Sequence, residues 1–235
     1  MTNLDKVRVV VTGAAGGIGS ALARRLHAAG ARLALTSRDP ERLDGLVREL
    51  GGPGDGLWAQ SADLADEPSV ESFFEGAREH LGSLDALVNV AGLSRPGQIV
   101  ETSLADFEQI WHANVTSAFL ASKHAVPLID PDAGGAVINV SSVAGLRPNA
   151  TAPLYCTAKA ALDMFTRAFA LQVKQRRIRV TALNPGGTDT PFWGDRPVDR
   201  SKLMSAEDVV DVIMFVLNAP STVQISAVEF EPFHP

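Results

Sequence analysis

The sequence predicts an α/β fold: a doubly wound, mostly parallel sheet with helices on both faces, in a single domain spanning residues 1–235. Three observations carry that prediction. Short apolar runs alternate with helical segments along the whole chain, the pattern of strands joined by crossover helices. A glycine-rich turn, Thr12-Gly13-Ala14-Ala15-Gly16-Gly17-Ile18-Gly19, joins the first strand-like run to the first helical one. A length of 235 residues with 46% hydrophobic content suits one large core and is short for two full domains.

The first strand is read at Val7–Val11, which is apolar and β-branched. Ile18, Leu22 and Leu26 then recur every four residues with Arg24 and Arg25 on the polar side, and Gly30 closes that helix. Further strands are expected at Arg32–Thr36, Leu57–Gln60, Ala86–Asn89, Ala136–Val140, Val180–Leu183 and Val228–Phe230. Helices between them are expected over Pro40–Leu50, Pro68–Leu81, Leu104–Leu128, Leu154–Gln175 and Ala206–Asn218. Gly51–Gly56 reads as an exposed loop. Pro185–Pro197 reads as a longer and less regular one, so a candidate lid is placed near residues 186–204.

Composition narrows the function classes. A net charge of −6 without a lysine or arginine block argues against a nucleic-acid partner. No apolar run reaches membrane-spanning length and Met1–Lys6 lacks an apolar leader, so no membrane partner and a cytoplasmic location are expected. The single cysteine, Cys156, excludes an internal disulfide framework. His27, His80, His112, His124 and His234 lack ligand spacing, so no metal is expected.

Two motifs carry chemistry. A strand, a glycine turn and a helix make half of a dinucleotide site: glycines such as Gly13, Gly17 and Gly19 let the backbone approach a pyrophosphate, and the helix N-terminus offers unpaired N–H groups. Farther along, Tyr155 and Lys159 lie four residues apart, on one helical face, with Ser142 thirteen residues upstream of the tyrosine. A lysine cation beside a phenol favours tyrosinate, so the pair reads as a proton donor tuned toward neutral pH.

Together with Asn89-Val90-Ala91-Gly92, Asn114 and Asn184-Pro185-Gly186, these motifs resemble the short-chain dehydrogenase/reductase family in order and spacing over nearly the whole chain. The resemblance implies a one-domain Rossmann fold, a nicotinamide cofactor and a catalytic tetrad of Asn114, Ser142, Tyr155 and Lys159. It implies that Tyr155 exchanges a proton with the substrate oxygen, that Ser142 holds that oxygen, and that Lys159 tunes the tyrosine and binds the nicotinamide ribose. Asn114 is expected to interrupt its helix and hold a relay water. The cofactor would also contact Gly13, Gly17, Ile18, Gly19, Ser37, Arg38, Asp63, Leu64, Asn89, Ala91, Gly92, Pro185, Gly186, Thr188 and Thr190. The Ser37-Arg38 pair after the second strand resembles NADP-preferring members, while Asp39 tempers that preference, so NADP(H) is expected over NAD(H). Val90 stands where the family has a second asparagine.

The implied reaction is hydride transfer between nicotinamide and a carbonyl or secondary-alcohol small molecule, by a homodimer or homotetramer. Candidate substrate-facing groups are Leu93–Pro96, Val143–Asn149, Leu154, and the lid aromatics Phe192 and Trp193, with Arg147 able to recognise a carboxylate. The tail, Ser221–Pro235, lacks the Asp-Gly-Gly ending of acyl-carrier-protein ketoreductases and resembles reductases with a proline-terminated last strand. Two other classes share the fold: a catalytically silent dinucleotide sensor, which an intact Ser142, Tyr155 and Lys159 argues against, and a dehydratase or epimerase, for which the C-terminal segment is short.

Overall fold

A computed structural model describes residues 4–233; His234 and the first three residues of the Met1–Lys6 segment lie outside the described residues. Seven strands form one sheet: β1 (Arg8–Thr12), β2 (Arg32–Thr36), β3 (Leu57–Ala59), β4 (Ala86–Asn89), β5 (Gly135–Val140), β6 (Ile178–Pro185) and β7 (Ala227–Phe230). Their spatial order is β3-β2-β1-β4-β5-β6-β7. All six pairings are parallel, with Val9 opposite both Leu33 and Ala86. The strand order reverses between β1 and β4, and in open α/β sheets ligands bind at the carboxyl ends of the strands beside that switch point.

The helices are α1 (Gly17–Ala28), α2 (Pro40–Glu49), α3 (Glu67–Leu81), α4 (Leu104–Trp111), α5 (Ser117–Ala125), α6 (Pro153–Val173) and α7 (Ala206–Leu217). Side chains alternate across a strand, so each strand serves two cores. Val9, Val11, Val88 and Ile138 pack on one side against Leu22, Leu26, Leu43 and Ile213 from α1, α2 and α7. Val10, Leu87 and Val137 point the other way, against Phe73 and Phe74 of α3, Leu120 and Ala121 of α5, and Val173 of α6. Local chemistry sets the helix starts: Asp39 accepts from the Arg42 amide, Asp66 from Ser69 and Ser103 from Asp106, while Ser205 and Asp208 form a reciprocal capping box.

Most elements shift at an end by one or two residues from the sequence expectation, and two differences bear on the site. The helix expected over Leu104–Leu128 is divided by a π-helical turn at His112–Thr116 and finishes in a 3₁₀ turn, Val126–Leu128. Within the π turn, Asn114 donates through Nδ2 to the Ile110 carbonyl at 2.8 Å and to Leu93 at 2.7 Å, so the extra residue is accommodated by a side chain entering the helical ladder. Strand β6 runs through Pro185, which therefore ends a strand rather than opening a loop.

A buried chain of polar groups ties the strand ends together. Thr12 donates to Asn89 Oδ1 at 3.3 Å, Asn89 Nδ2 to Asn139 Oδ1 at 2.8 Å, and Asn139 Nδ2 to Thr166 Oγ1 on α6 at 2.8 Å. Replacing Asn139 with alanine strands a buried donor and opens a void. Asn139→Ala is expected to lower unfolding free energy by roughly 2–4 kcal/mol, read from the urea midpoint at constant m-value.

Candidate active site

A cleft of about 1070 Å³ opens along the carboxyl ends of the strands. Gly13, Gly17, Ile18, Ser37, Arg38, Asp63, Leu64, Ala91, Gly92, Ser142, Tyr155, Lys159, Pro185, Gly186, Thr188 and Thr190 all line it. Of the residues expected to line a site here, Gly19, Asn89 and Asn114 do not. Asn89 is turned into the buried polar chain. A Cβ at Gly19 would lie 2.2 Å from the Gly13 carbonyl oxygen, so this glycine lets α1 pack onto the turn. Asn114 sits behind Gly92, where a Cβ would come within 3.0 Å of Asn114 Oδ1 and 3.3 Å of Lys159 Nζ.

The glycine turn is shaped for close approach. Gly13 has φ +66°, and a side chain there would drive into the Ala91 backbone at 2.7 Å. The N-terminus of α1 begins at Gly16 with no side-chain cap, whereas α2, α3, α4 and α7 are each capped by a side chain. Gly16, Gly17 and Ile18 therefore present first-turn backbone to the cleft, the donor set that an anionic phosphate group needs. At the end of β2, Arg38 and Arg42 both line the cleft, and neither forms an ion pair among the described residues. Asp39 forms no ion pair with Arg38, and its Oδ1 accepts from the Arg42 amide at 3.0 Å. Asp63 lines the cleft while its Oδ1 accepts from Ala65 N at 3.0 Å.

On the β5 and β6 side, Ser142 follows β5 and Tyr155 and Lys159 project from the first turns of α6. Ser142 Oγ donates to the Pro185 carbonyl at 3.4 Å, accepts from Ala144 N at 3.1 Å, and favours ionisation of the Tyr155 phenol. Lys159 is buried, donates to the Val140 carbonyl at 2.9 Å and lies 5.7 Å from the Tyr155 ring centroid. Lys159 is expected to lower the tyrosine pKa, and burial acts in the opposite direction. Burial dominates and pushes Tyr155 up to about 12, with Ser142 opposing it; burial pushes Lys159 down to about 8, opposed by the charge of Asp163 one turn on. Tyr155 is held here as a neutral hydrogen-bonding acid.

Several groups went unread in the sequence. Arg42, Gln109, His112 and Ser117 line the cleft, the last three because the π turn and its flanking helices bring them to the rim. Arg196 joins them from the loop after β6. Conversely, Arg147 is drawn away into ion pairs with Glu229 at 2.9 Å and with Glu231, so it does not serve as a carboxylate receptor in the cleft. Leu93 and Leu154 are likewise not among the lining residues, and Cys156 is half-buried beside the tyrosine without facing the cleft.

Residues 7–200 match the family profile described as short chain dehydrogenase. The chain belongs to the short-chain dehydrogenase/reductase family. It is 33% identical over 224 residues to a human 3-oxoacyl-(acyl-carrier-protein) reductase, covering 92% of this chain and 93% of that one. It is 27% identical to an uncharacterised oxidoreductase of Staphylococcus epidermidis, covering 99% and 100%. A solved dehydrogenase/reductase from Sinorhizobium meliloti 1021 superposes with a TM-score of 0.87 at 28% identity, covering 98% and 96%. As a family member the chain is an oxidoreductase, and the family uses NAD(P)(H) and acts on small molecules. No helix among the described residues is long and apolar enough to cross a membrane.

Because the chain has one tyrosine, tyrosinate absorbance reports Tyr155 alone. Alkaline titration of the cofactor-free protein is expected to give a midpoint well above 10, near 12, against 10 in denaturant. The sign of the linkage follows: the folded pKa is raised, so the contribution to stability is full below pH 10 and is lost as pH climbs toward 12. A folded-state midpoint below 9 would overturn the burial argument.

Proposed function

We propose that this chain is an NADP-preferring oxidoreductase that interconverts a carbonyl compound and its secondary alcohol, with Tyr155 as proton donor and acceptor. The observation that carries the reading is the meeting of Ser142, Tyr155 and Lys159 in the same cleft that receives the glycine turn. The family assignment and the 3-oxoacyl reductase among its relatives support redox chemistry at a carbonyl.

The nicotinamide, when bound, supplies or accepts the hydride. The uncapped α1 N-terminus holds the pyrophosphate, and Ser37 with Arg38 and Arg42 holds a phosphate at the adenosine end. Asp63, Leu64, Ala91 and Gly92 flank the rest of the adenosine and ribose path, with Pro185, Gly186, Thr188 and Thr190 on the nicotinamide side. Ser142 directs its hydroxyl to the substrate oxygen and strengthens that hydrogen bond as negative charge builds. Tyr155 gives its proton to this oxygen, and a phenol that stays protonated to about pH 12 is already in the form that reduction needs. Lys159, confined between Gly92, the Val140 carbonyl and the tyrosine ring, replenishes the proton, with the Asn114 Oδ1 acceptor behind it. Alcohol oxidation demands the tyrosinate form, so it relies more on added positive charge. The residues near 186–204 act as a lid over this end. Assembly as a homodimer or homotetramer accompanies the reading, supported by Phe119, Met164 and Leu171 exposed on α5 and α6.

Tyr155→Phe is expected to cut carbonyl reduction by at least 100-fold in kcat while the variant still binds NADPH with near wild-type affinity. Undiminished turnover would remove Tyr155 from the reaction. Arg38→Ala combined with Arg42→Ala is expected to reduce kcat/KM for NADPH by about 10- to 100-fold, leaving NADH use close to wild type. A wild-type preference for NADH would defeat the phosphate assignment.

A further inference from the structure

The loop after β6 puts a cation beside the tyrosine that the proposed reaction does not use. Arg196 lines the cleft and is half-buried, with its guanidinium 5.0 Å from the Phe192 ring centroid and 4.9 Å from that of Trp193. The Phe192 ring in turn lies 5.7 Å from the Tyr155 ring. Nε donates to the Trp193 carbonyl at 2.8 Å and Nη2 donates to the Phe192 carbonyl, which fixes the plane of the fork. Among the described residues Nη1 makes no hydrogen bond and Arg196 forms no ion pair. Of the carboxylates in the same loop, Asp189 pairs with Arg200, Asp199 binds Ser201 and pairs with Lys202, and Asp195, next to Arg196 in sequence, forms no ion pair with it. Trp193 itself is anchored through Nε1 to the Thr188 carbonyl at 2.8 Å, so the arginine sits on a braced platform.

A half-desolvated guanidinium held rigidly in a ligand cleft, without an acid of the protein's own, is a receptor for an anion. The Phe192 ring that it covers lies beside Tyr155, which puts Arg196 at the reacting end of the cleft rather than at the adenosine end beside Arg38. Resting on the reductase reading above, we infer that Arg196 is a specificity-determining residue and that the substrates are oxo acids, carbonyl compounds bearing a carboxylate that Arg196 holds. The carbonyl gains a hydride at carbon from the reduced nicotinamide and a proton at oxygen from Tyr155, yielding a hydroxy acid with the carboxylate unchanged. Phe192 and Trp193 then serve as the apolar wall between the two polar contacts.

Matched pairs of an oxo acid and its methyl ester test this, with the chain length between carbonyl and carboxylate varied. Wild-type protein with NADPH is expected to favour the acid over its ester by about 10- to 100-fold in kcat/KM for at least one spacing. Arg196→Gln should bring that acid-to-ester ratio close to one without changing the KM for NADPH, and Arg196→Lys should restore part of it. A ratio near one in wild type, or a ratio that Arg196→Gln leaves intact, would overturn the inference while esters that are still reduced uphold the reductase reading. A raised NADPH KM with acid and ester falling in parallel would reassign Arg196 to the cofactor. Wild-type protein that reduces neither acid, ester nor a neutral ketone would sink the reductase reading itself.

Discussion

Burying the ammonium of Lys159 is the constraint around which the centre of this structure is arranged. Taking a lysine from water to 3% exposure disfavours its charged form, and burial accordingly pulls its pKa to about 8. What makes the position tolerable is a set of acceptors and a shape. The Val140 carbonyl at the end of β5 receives a hydrogen bond, the face of Tyr155 covers the side chain, and Gly92 leaves the space that any Cβ would take. Asp163, one turn along α6, supplies opposing charge from below. Its own carboxyl is raised by burial and relieved by Ser141 and, with the Asn184 amide turned to donate, by a 3.0 Å bond. Gly145 has no room for a side chain for the same reason, since a Cβ there would meet Asp163 at 2.7 Å.

That cluster holds its geometry because the strands feeding it cannot slide. Parallel strands share one direction, so all seven carboxyl ends come to the same edge, and the Thr12–Asn89–Asn139–Thr166 chain locks β1, β4 and β5 to α6 at that edge. The polar chain costs nothing in unsatisfied groups along its length, which is the condition for a buried network to rigidify rather than weaken a core. The glycine turn, the serine after β5 and the tyrosine helix are thereby fixed relative to one another although they are far apart in sequence.

The legible part of the fold and of the site was the part written in local periodicity. Strand β2 and strand β4 fall on the residues that the apolar runs indicate, and the four-residue step from Tyr155 to Lys159 needs only helix geometry. Properties set by distant partners were not legible. Nothing around Arg147 in sequence announces Glu229 and Glu231, which arrive from β7 and its flank. The interruption at Asn114 was expected from the family resemblance rather than from the apolar pattern of Leu104–Leu128, which is continuous; its π-helical form comes from the Asn114 side chain entering the ladder. The burial of Tyr155 was not legible for a related reason: proximity of a cation is visible in spacing, whereas burial, which pushes the phenol up, is a property of the assembled cleft.

Arginines without ion pairs stand at both flanks of the cleft of an acidic chain. The chain carries −6 overall, and many of its arginines are neutralised by carboxylates, as in Arg8–Asp85, Arg24–Glu49 and Arg25–Asp211. The exposed Arg24 and Arg25 pairs add little stability, but they remove positive potential from the outer surface. Arg38 and Arg42 beyond β2 and Arg196 beyond β6 keep theirs, and these strands stand on opposite sides of the switch point. Both flanks of the cleft thus carry arginine on a chain whose net charge is negative. A ligand with negative groups at both ends, or two ligands each with one, satisfies that field with the uncapped α1 N-terminus between them.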